Sequence, residues 1–165
     1  MQISLDRGWA ADAAVGAVVL AVVMAGPGAA ATQAKGLKAP VVISGAGSRG
    51  CLAIHQASRS RGKSAVIADC HGKASQQWVQ TSLKQLQARH SGMCLEILNA
   101  NKKRGAPVIQ SACLKDKSQQ WYVTAKGEIR SKLNHMCLSV QSGGGRVTMN
   151  GCNGSPNQIW ELKKK

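Results

Sequence analysis

Residues 94–121, CLEILNANKKRGAPVIQSACLKDKSQQW, recur in altered form three times along this 165-residue chain. Their two cysteines and closing Gln-x-Trp have counterparts at Cys51, Cys70 and Gln76-Gln77-Trp78 before them, and at Cys137, Cys152 and Gln158-Ile159-Trp160 after them. The first cysteines step by 43 and 43, the second by 43 and 39, and each second cysteine stands six residues ahead of its glutamine. An aliphatic residue, Ile43, Leu86 or Ile129, precedes each first cysteine by eight. A fixed period of this length means that one supersecondary unit is repeated and that the units bury a shared core. The third unit is four residues short: 15 rather than 19 separate its cysteines. Because Gly62, Gly105 and Gly144 all stand eight residues before the second cysteine, the loss falls in the turn ahead of that glycine, where length changes are tolerated.

Inside a unit the pattern is strand and turn. In the quoted copy, residues 94–98 alternate as a strand, 101–105 form a polar turn, 107–113 a second strand and 120–124 a third, with Lys126-Gly127 turning into a fourth around Ile129. No segment after residue 40 carries a long 3.6-residue periodicity. Short strands at even spacing with glycine-bearing turns point to an all-β, closed or radial fold. The last unit ends at Lys165 without a fourth strand, and residues 40–43 supply one from the front. That strand is expected beside residues 160–162, closing the barrel and removing an open edge.

Six cysteines allow fifteen pairings, and the repeat selects one bridge per unit: Cys51–Cys70, Cys94–Cys113 and Cys137–Cys152. Metal ligation fits poorly, since there is no Cys-x-x-Cys pair and the four histidines fall at no fixed place in the unit. Neither a metal nor any other cofactor is expected. The three repeated tryptophans read as core, one per unit, rather than as sugar platforms. The glutamine ahead of each reads as a buried amide satisfying a neighbouring turn.

Ahead of the repeats, residues 13–25 are an unbroken run of Ala, Val, Gly, Leu and Met, followed by Gly26-Pro27-Gly28 and Ala29-Ala30-Ala31. Apolar run, breaker and small-residue cleavage site make a secretory signal over 1–31, and the run is too short to span a bilayer as a helix. The expected organisation is signal 1–31, flexible lead-in 32–38 and a folded domain 39–165 with repeats at about 39–81, 82–124 and 125–162. A secreted or periplasmic location follows, without a transmembrane span in the mature chain. Export agrees with oxidised cysteines, and bridges suit a chain with no phenylalanine to enlarge its core.

The repeated Cys-Leu … Cys … Gln-x-Trp unit resembles that of the ricin-B-type lectin domain, over residues 39–162. The resemblance implies a β-trefoil and up to one shallow sugar site per unit. Such a site uses an acid two residues after the first cysteine, an aromatic about two before the second, and an Asn before the Gln-x-Trp glutamine. Here the acid position holds Ala53, Glu96 and Ser139, the aromatic position Ala68, Ser111 and Asn150, and the last Ser75, Ser118 and Asn157. The second unit is thus the best candidate through Glu96, Ser111, Ser118 and Gln119. The third offers Asn150, Asn157 and Gln158 without a carboxylate, and the first reads as scaffold. As a plain alternative, Glu96 is a strand-surface acid.

Lys and Arg number 22 against 7 Asp and Glu, a formal charge of +15. Arg59, Arg61 and Lys63 align with Lys102, Lys103 and Arg104 in the long turns, and they read either as solvated charge or as a basic patch for an anionic glycan. Nucleic acid is not the expected partner. No convergent Ser/His/Asp set and no phosphate-binding glycine loop ahead of a helix is present, so no enzyme is expected. The leading expectation is a secreted carbohydrate-binding module, with anionic or atypical glycans in view. The alternative is a protein-interaction or cell-binding subunit of a toxin or exported enzyme, its sugar sites eroded.

Overall fold

The structure, a computed structural model, describes residues 39–143 and 145–165. The signal and lead-in expected over 1–38, and the turn glycine Gly144, lie outside the described residues. Twelve strands follow the repeat, four per unit. The first unit has β1 (Val41–Gly45), β2 (Cys51–Ile54), β3 (Ala65–Ala68) and β4 (Gln77–Gln80). The second has β5 (Leu86–Ala88), β6 (Cys94–Ile97), β7 (Ala106–Ser111) and β8 (Trp121–Val123). The third has β9 (Ile129–Ser131), β10 (Cys137–Val140), β11 (Val147–Asn150) and β12 (Trp160–Lys164).

The outer strands of each unit form a six-stranded barrel. β1 pairs antiparallel with β12 in the register Ile43↔Leu162, Ser44↔Glu161 and Gly45↔Trp160, so the front of the domain closes on its end. Pairings β1–β4, β4–β5 and β8–β9, with single bridges Gln85↔Gln120 and Glu128↔Ile159, complete the ring. The inner strands form three hairpins, β2–β3, β6–β7 and β10–β11. These hairpins interlock across unit boundaries through Ser64↔Ile109, Thr148↔Pro107 and Val66↔Arg146. The architecture is a β-trefoil.

The core repeats with the sequence. Ile43, Leu86 and Ile129, then Leu52, Leu95 and Leu138, then Trp78, Trp121 and Trp160, are all buried in one cluster. Each indole Nε1–H donates to the carbonyl of the leucine after its own unit's first cysteine: Trp78 to Leu52, Trp121 to Leu95 and Trp160 to Leu138, at 2.9–3.0 Å. A polar atom inside an apolar core is thereby satisfied without a second side chain. The three disulfides pair one per unit, as the period requires.

Strand boundaries differ from the sequence expectation by one or two residues: those expected over 40–43 and 94–98 are Val41–Gly45 and Cys94–Ile97. The strand expected over 107–113 ends at Ser111, and that expected over 120–124 is Trp121–Val123. At the end of β7 the backbone leaves the ladder to meet a buried glutamine: Ala112 O and Leu114 N turn toward Gln119. The shortened third turn also has a local consequence. After β2 and β6 the chain makes 3-10 turns, His55–Ala57 and Leu98–Ala100, in which Gln56, Ala57, Asn99 and Ala100 sit at φ of 54°, 50°, 53° and 49°. No such turn follows β10 among the described residues. A left-handed alanine costs roughly 1–2 kcal/mol, and glycine's larger unfolded-state freedom offsets about 0.4–1 kcal/mol of that relief. Ala100→Gly therefore raises stability by up to about 1 kcal/mol, read as a higher denaturant midpoint at unchanged slope; a midpoint that falls contradicts this account.

Candidate functional site

The three Gln-x-Trp glutamines are almost completely buried, and each clamps the loop behind its second cysteine. Gln76 Oε1 accepts from the His71 and Gly72 amides while its Nε2 donates to Asp69 O. Gln119 Oε1 accepts from Leu114 N at 2.7 Å and from Gln85 Nε2 at 3.0 Å, and its Nε2 donates to Ala112 O at 2.7 Å. Gln158 accepts from Asn153 N and donates to Gly151 O, both at 2.9 Å.

Each Nε2 carries a second hydrogen, and its destination separates the units. In the second unit it goes to Glu96 Oε2 at 2.6 Å, in the third to Ser139 Oγ at 2.9 Å, and in the first the facing residue is Ala53. The amide thus aims whatever polar group the acid position retains. Gln119 and Gln158, named from the sequence as ligand-binding, have their amide hydrogens committed within the protein. From there Gln119 holds Glu96 and Gln158 holds Ser139. Glu96 is half-buried on β6, and its Oε1 makes no hydrogen bond among the described residues.

The remaining candidates fall into two groups. Ser111 is buried and accepts from Arg61 Nε at 3.1 Å. Ser118 is buried, and its amide donates to Asp116 Oδ1 at 2.7 Å. Hydrogen bonds from the Ser118 side chain and then its backbone hold the Asp116 carboxyl below the usual carboxylate range. A lowered folded value means that this contact stabilises above the ordinary value of 3.8 and is lost as the pH falls through the folded one. Ser118 is therefore occupied in capping a turn, which leaves Glu96 as the outward group of the second unit.

In the third unit Asn150, Asn157 and Gln158 do converge, lining a cavity of about 240 Å³ with Ser139 and Gly151. Asn150 Nδ2 donates to Thr148 Oγ1, Asn157 Nδ2 donates to Val140 O, and Asn157 Oδ1 accepts from Ser155. The same cavity is lined by Arg104, from the turn after β6 in the preceding unit. The sequence placed Arg104 in a basic patch; neither charge nor spacing showed that it crosses a unit boundary.

The other patch residues, Arg59, Lys63, Lys102 and Lys103, are exposed on the same two turns, while Arg61 reaches Ser111 fifty residues away. Two of the arginines thus leave the run and enter neighbouring units. Among the described residues, a grouping with metal-ligand types, Glu128 with Cys137 and Cys152, has both sulfurs spent in a disulfide. The carboxylate of Glu128 pairs with Arg130 at 2.8 Å. No helix among the described residues is long and apolar enough to cross a membrane.

A threefold trefoil with one Gln-x-Trp clamp per unit is the frame of a carbohydrate-binding domain. The sequence profile of the ricin-type β-trefoil lectin domain matches residues 82–165, and that of the ricin-type β-trefoil lectin domain-like group matches 32–111. The chain belongs to the ricin-type β-trefoil lectin family. No curated protein sequence matches it.

Among solved structures it is similar to ThreeFoil, a designed threefold-symmetric protein, with a TM-score of 0.73 and 28 % identity over 76 % of this chain and 99 % of that one. It shares the fold of the β-trefoil lectin of the Vibrio vulnificus hemolysin/cytolysin, solved with N-acetyl-D-lactosamine bound. There the TM-score is 0.65 and the identity 21 %, over 77 % of this chain and 95 % of that one. It also shares the fold of a non-toxic homologue of type II RIPs from Momordica charantia (bitter gourd), solved with α-methyl-D-galactoside. That comparison gives a TM-score of 0.69 at 20 % identity, over 78 % of this chain and 48 % of the other, so this chain spans about half of that protein.

Proposed function

We propose that this protein is an exported carbohydrate-binding module whose second unit holds a glycan hydroxyl through Glu96, with a surface charge that favours anionic or atypical glycans. The observation that carries the reading is the pair Gln119–Glu96. A buried amide holds one carboxylate oxygen at 2.6 Å and leaves the other free to accept from a ligand. A surface acid with no function needs no such support. Three intact disulfides support export, since such bridges persist in oxidising compartments. The excess of 22 basic over 7 acidic residues adds a salt-sensitive attraction for polyanions.

The test is Glu96→Gln, which keeps an acceptor oxygen for Gln119 and removes the charge. Hydrogen bonds to a charged group are worth about 1.5–3 kcal/mol, so glycan affinity falls about 10- to 100-fold while the thermal midpoint stays within a degree or two. A glycan array at low and near-physiological salt supplies the ligand; no binding in either condition, or unchanged affinity in Glu96→Gln, sinks the reading.

The first unit favours a second reading beside it. With Ala53 and Ala68 at the acid and aromatic positions, the first unit lacks both of those sugar-contacting side chains and suits a protein partner of a toxin or exported enzyme. Co-purification of a stoichiometric partner from the secreted fraction, lost on Ala68→Arg, supports this second role.

A further inference from the structure

Arg61 and Arg104 are 43 residues apart, one repeat period, and both leave their own unit. Their turns are fastened to the next hairpin by the following glycine: Gly62 N donates to Gln110 O at 2.9 Å and Gly105 N to Met149 O at 2.7 Å. Both glycines lie at φ near +80° with open space around them, so the sharp turn rather than packing requires them. The fastened turns carry Arg61 to Ser111 of the second unit and Arg104 across Gly151 of the third. Any Cβ at Gly151 would collide with the Arg104 guanidinium. At the equivalent place in the third turn stands Gly143, and the arginine of that turn, Arg146, meets the first unit through its backbone, bridging Val66. The two units that Arg61 and Arg104 reach with their side chains keep a polar residue at the acid position, Glu96 and Ser139.

Their charges differ. The second unit retains Glu96, whereas the third has Ser139 at that place and no acid in its pocket lining. Arg104 has no carboxylate partner among the described residues. A guanidinium is a planar fork matched to two oxygens of an oxyanion. It lines a 240 Å³ cavity whose other polar side chains are Ser139, Asn150, Asn153, Asn157 and Gln158. That volume lies below the range of about 300–1,000 Å³ typical of drug-sized ligands, which suits a single sugar residue.

We propose that the third unit's pocket recognises an acidic sugar, with Arg104, delivered by the preceding unit, pairing with the sugar's carboxylate or sulfate while Asn150 and Asn157 face its hydroxyls. The loss of the pocket acid is then a reversal of charge preference rather than an erosion: a carboxylate at position 139 would repel the ligand that Arg104 attracts. The proposal rests on the glycan-binding reading above, but on a different pocket, so the two fail separately.

Titration calorimetry of the folded domain with three matched oligosaccharides tests it: an oligogalacturonate, its carboxyl-reduced neutral counterpart and a sulfated neutral oligosaccharide of the same length. The intact domain should bind an acidic ligand at least tenfold more tightly than the neutral one, and the carboxylate and sulfate arms tell which oxyanion is preferred. Arg104→Gln should remove that tenfold preference, Arg104→Lys should restore part of it, and Lys132→Gln, an exposed lysine lost elsewhere, should leave it in place. Equal affinity for charged and neutral ligands overturns the proposal, as does an equal loss in Lys132→Gln and Arg104→Gln, which would make the attraction diffuse. Acidic binding that survives Glu96→Gln supports the third pocket whatever the fate of the second; acidic binding abolished by Glu96→Gln and untouched by Arg104→Gln overturns it.

Discussion

Reducing the three disulfides unfolds this domain at 37 °C. Each bridge closes a loop of 19, 19 or 15 residues, and a loop of that size is worth about 3 kcal/mol in the chain-entropy estimate. Three together reach about 9 kcal/mol, set against a total stability of about 5–15 kcal/mol for an ordinary domain. The core has little to compensate with, since the chain contains no phenylalanine and its described tryptophans are one per unit. The double variant Cys94→Ala/Cys113→Ala isolates one bridge and is expected to lower stability by about 2–5 kcal/mol. Chemical denaturation with and without reductant measures both; an unmoved midpoint would mean that the interlocked hairpins suffice without cross-links.

Gln119→Leu combines a stability effect with a functional one. The side chain is fully buried and meets Leu114 N, Ala112 O, Gln85 Nε2 and Glu96 Oε2. Leucine fills similar space but leaves those groups without their partner, at about 1–3 kcal/mol for each one that water does not reach. A loss of about 3 kcal/mol or more is expected, together with loss of glycan binding as Glu96 is freed to turn. Gln76→Leu is the control, because it breaks the same clamp on a loop whose acid position is Ala53. A comparable fall in stability with binding retained in Gln76→Leu, and binding lost in Gln119→Leu, separates support of the pocket from support of the fold. Equal binding in both variants removes Gln119 from the site.

Much of the fold was legible because its determinants lie within one unit. The bridge pairing, the aliphatic at Ile43, Leu86 and Ile129, the tryptophan core and the closure of β1 on β12 all follow from the 43-residue period. Strand ends were less legible. Ser111 terminates β7 because Ala112 and Leu114 turn toward Gln119, a demand that β-propensity does not record. Of the candidate residues, the sequence placed Asn150, Asn157 and Gln158 at one spacing that the fold gathers around one cavity, while the bonds from Gln119 to Glu96 and from Gln158 to Ser139 span 23 and 19 residues and are visible only in the fold.

The sequence by itself determined the repeat, the bridges, the buried layer and the strong basic excess, since each depends on residue type at a constant spacing. Tertiary structure alone decided which basic residues reach which unit. Arg61 meets Ser111 across fifty residues, and Arg104 covers Gly151 across a unit boundary. The physical reason is that each long turn belongs by sequence to one unit but is hydrogen-bonded to the hairpin of the next. A charge run read along the chain is therefore divided in space between two units that the chain alone keeps apart.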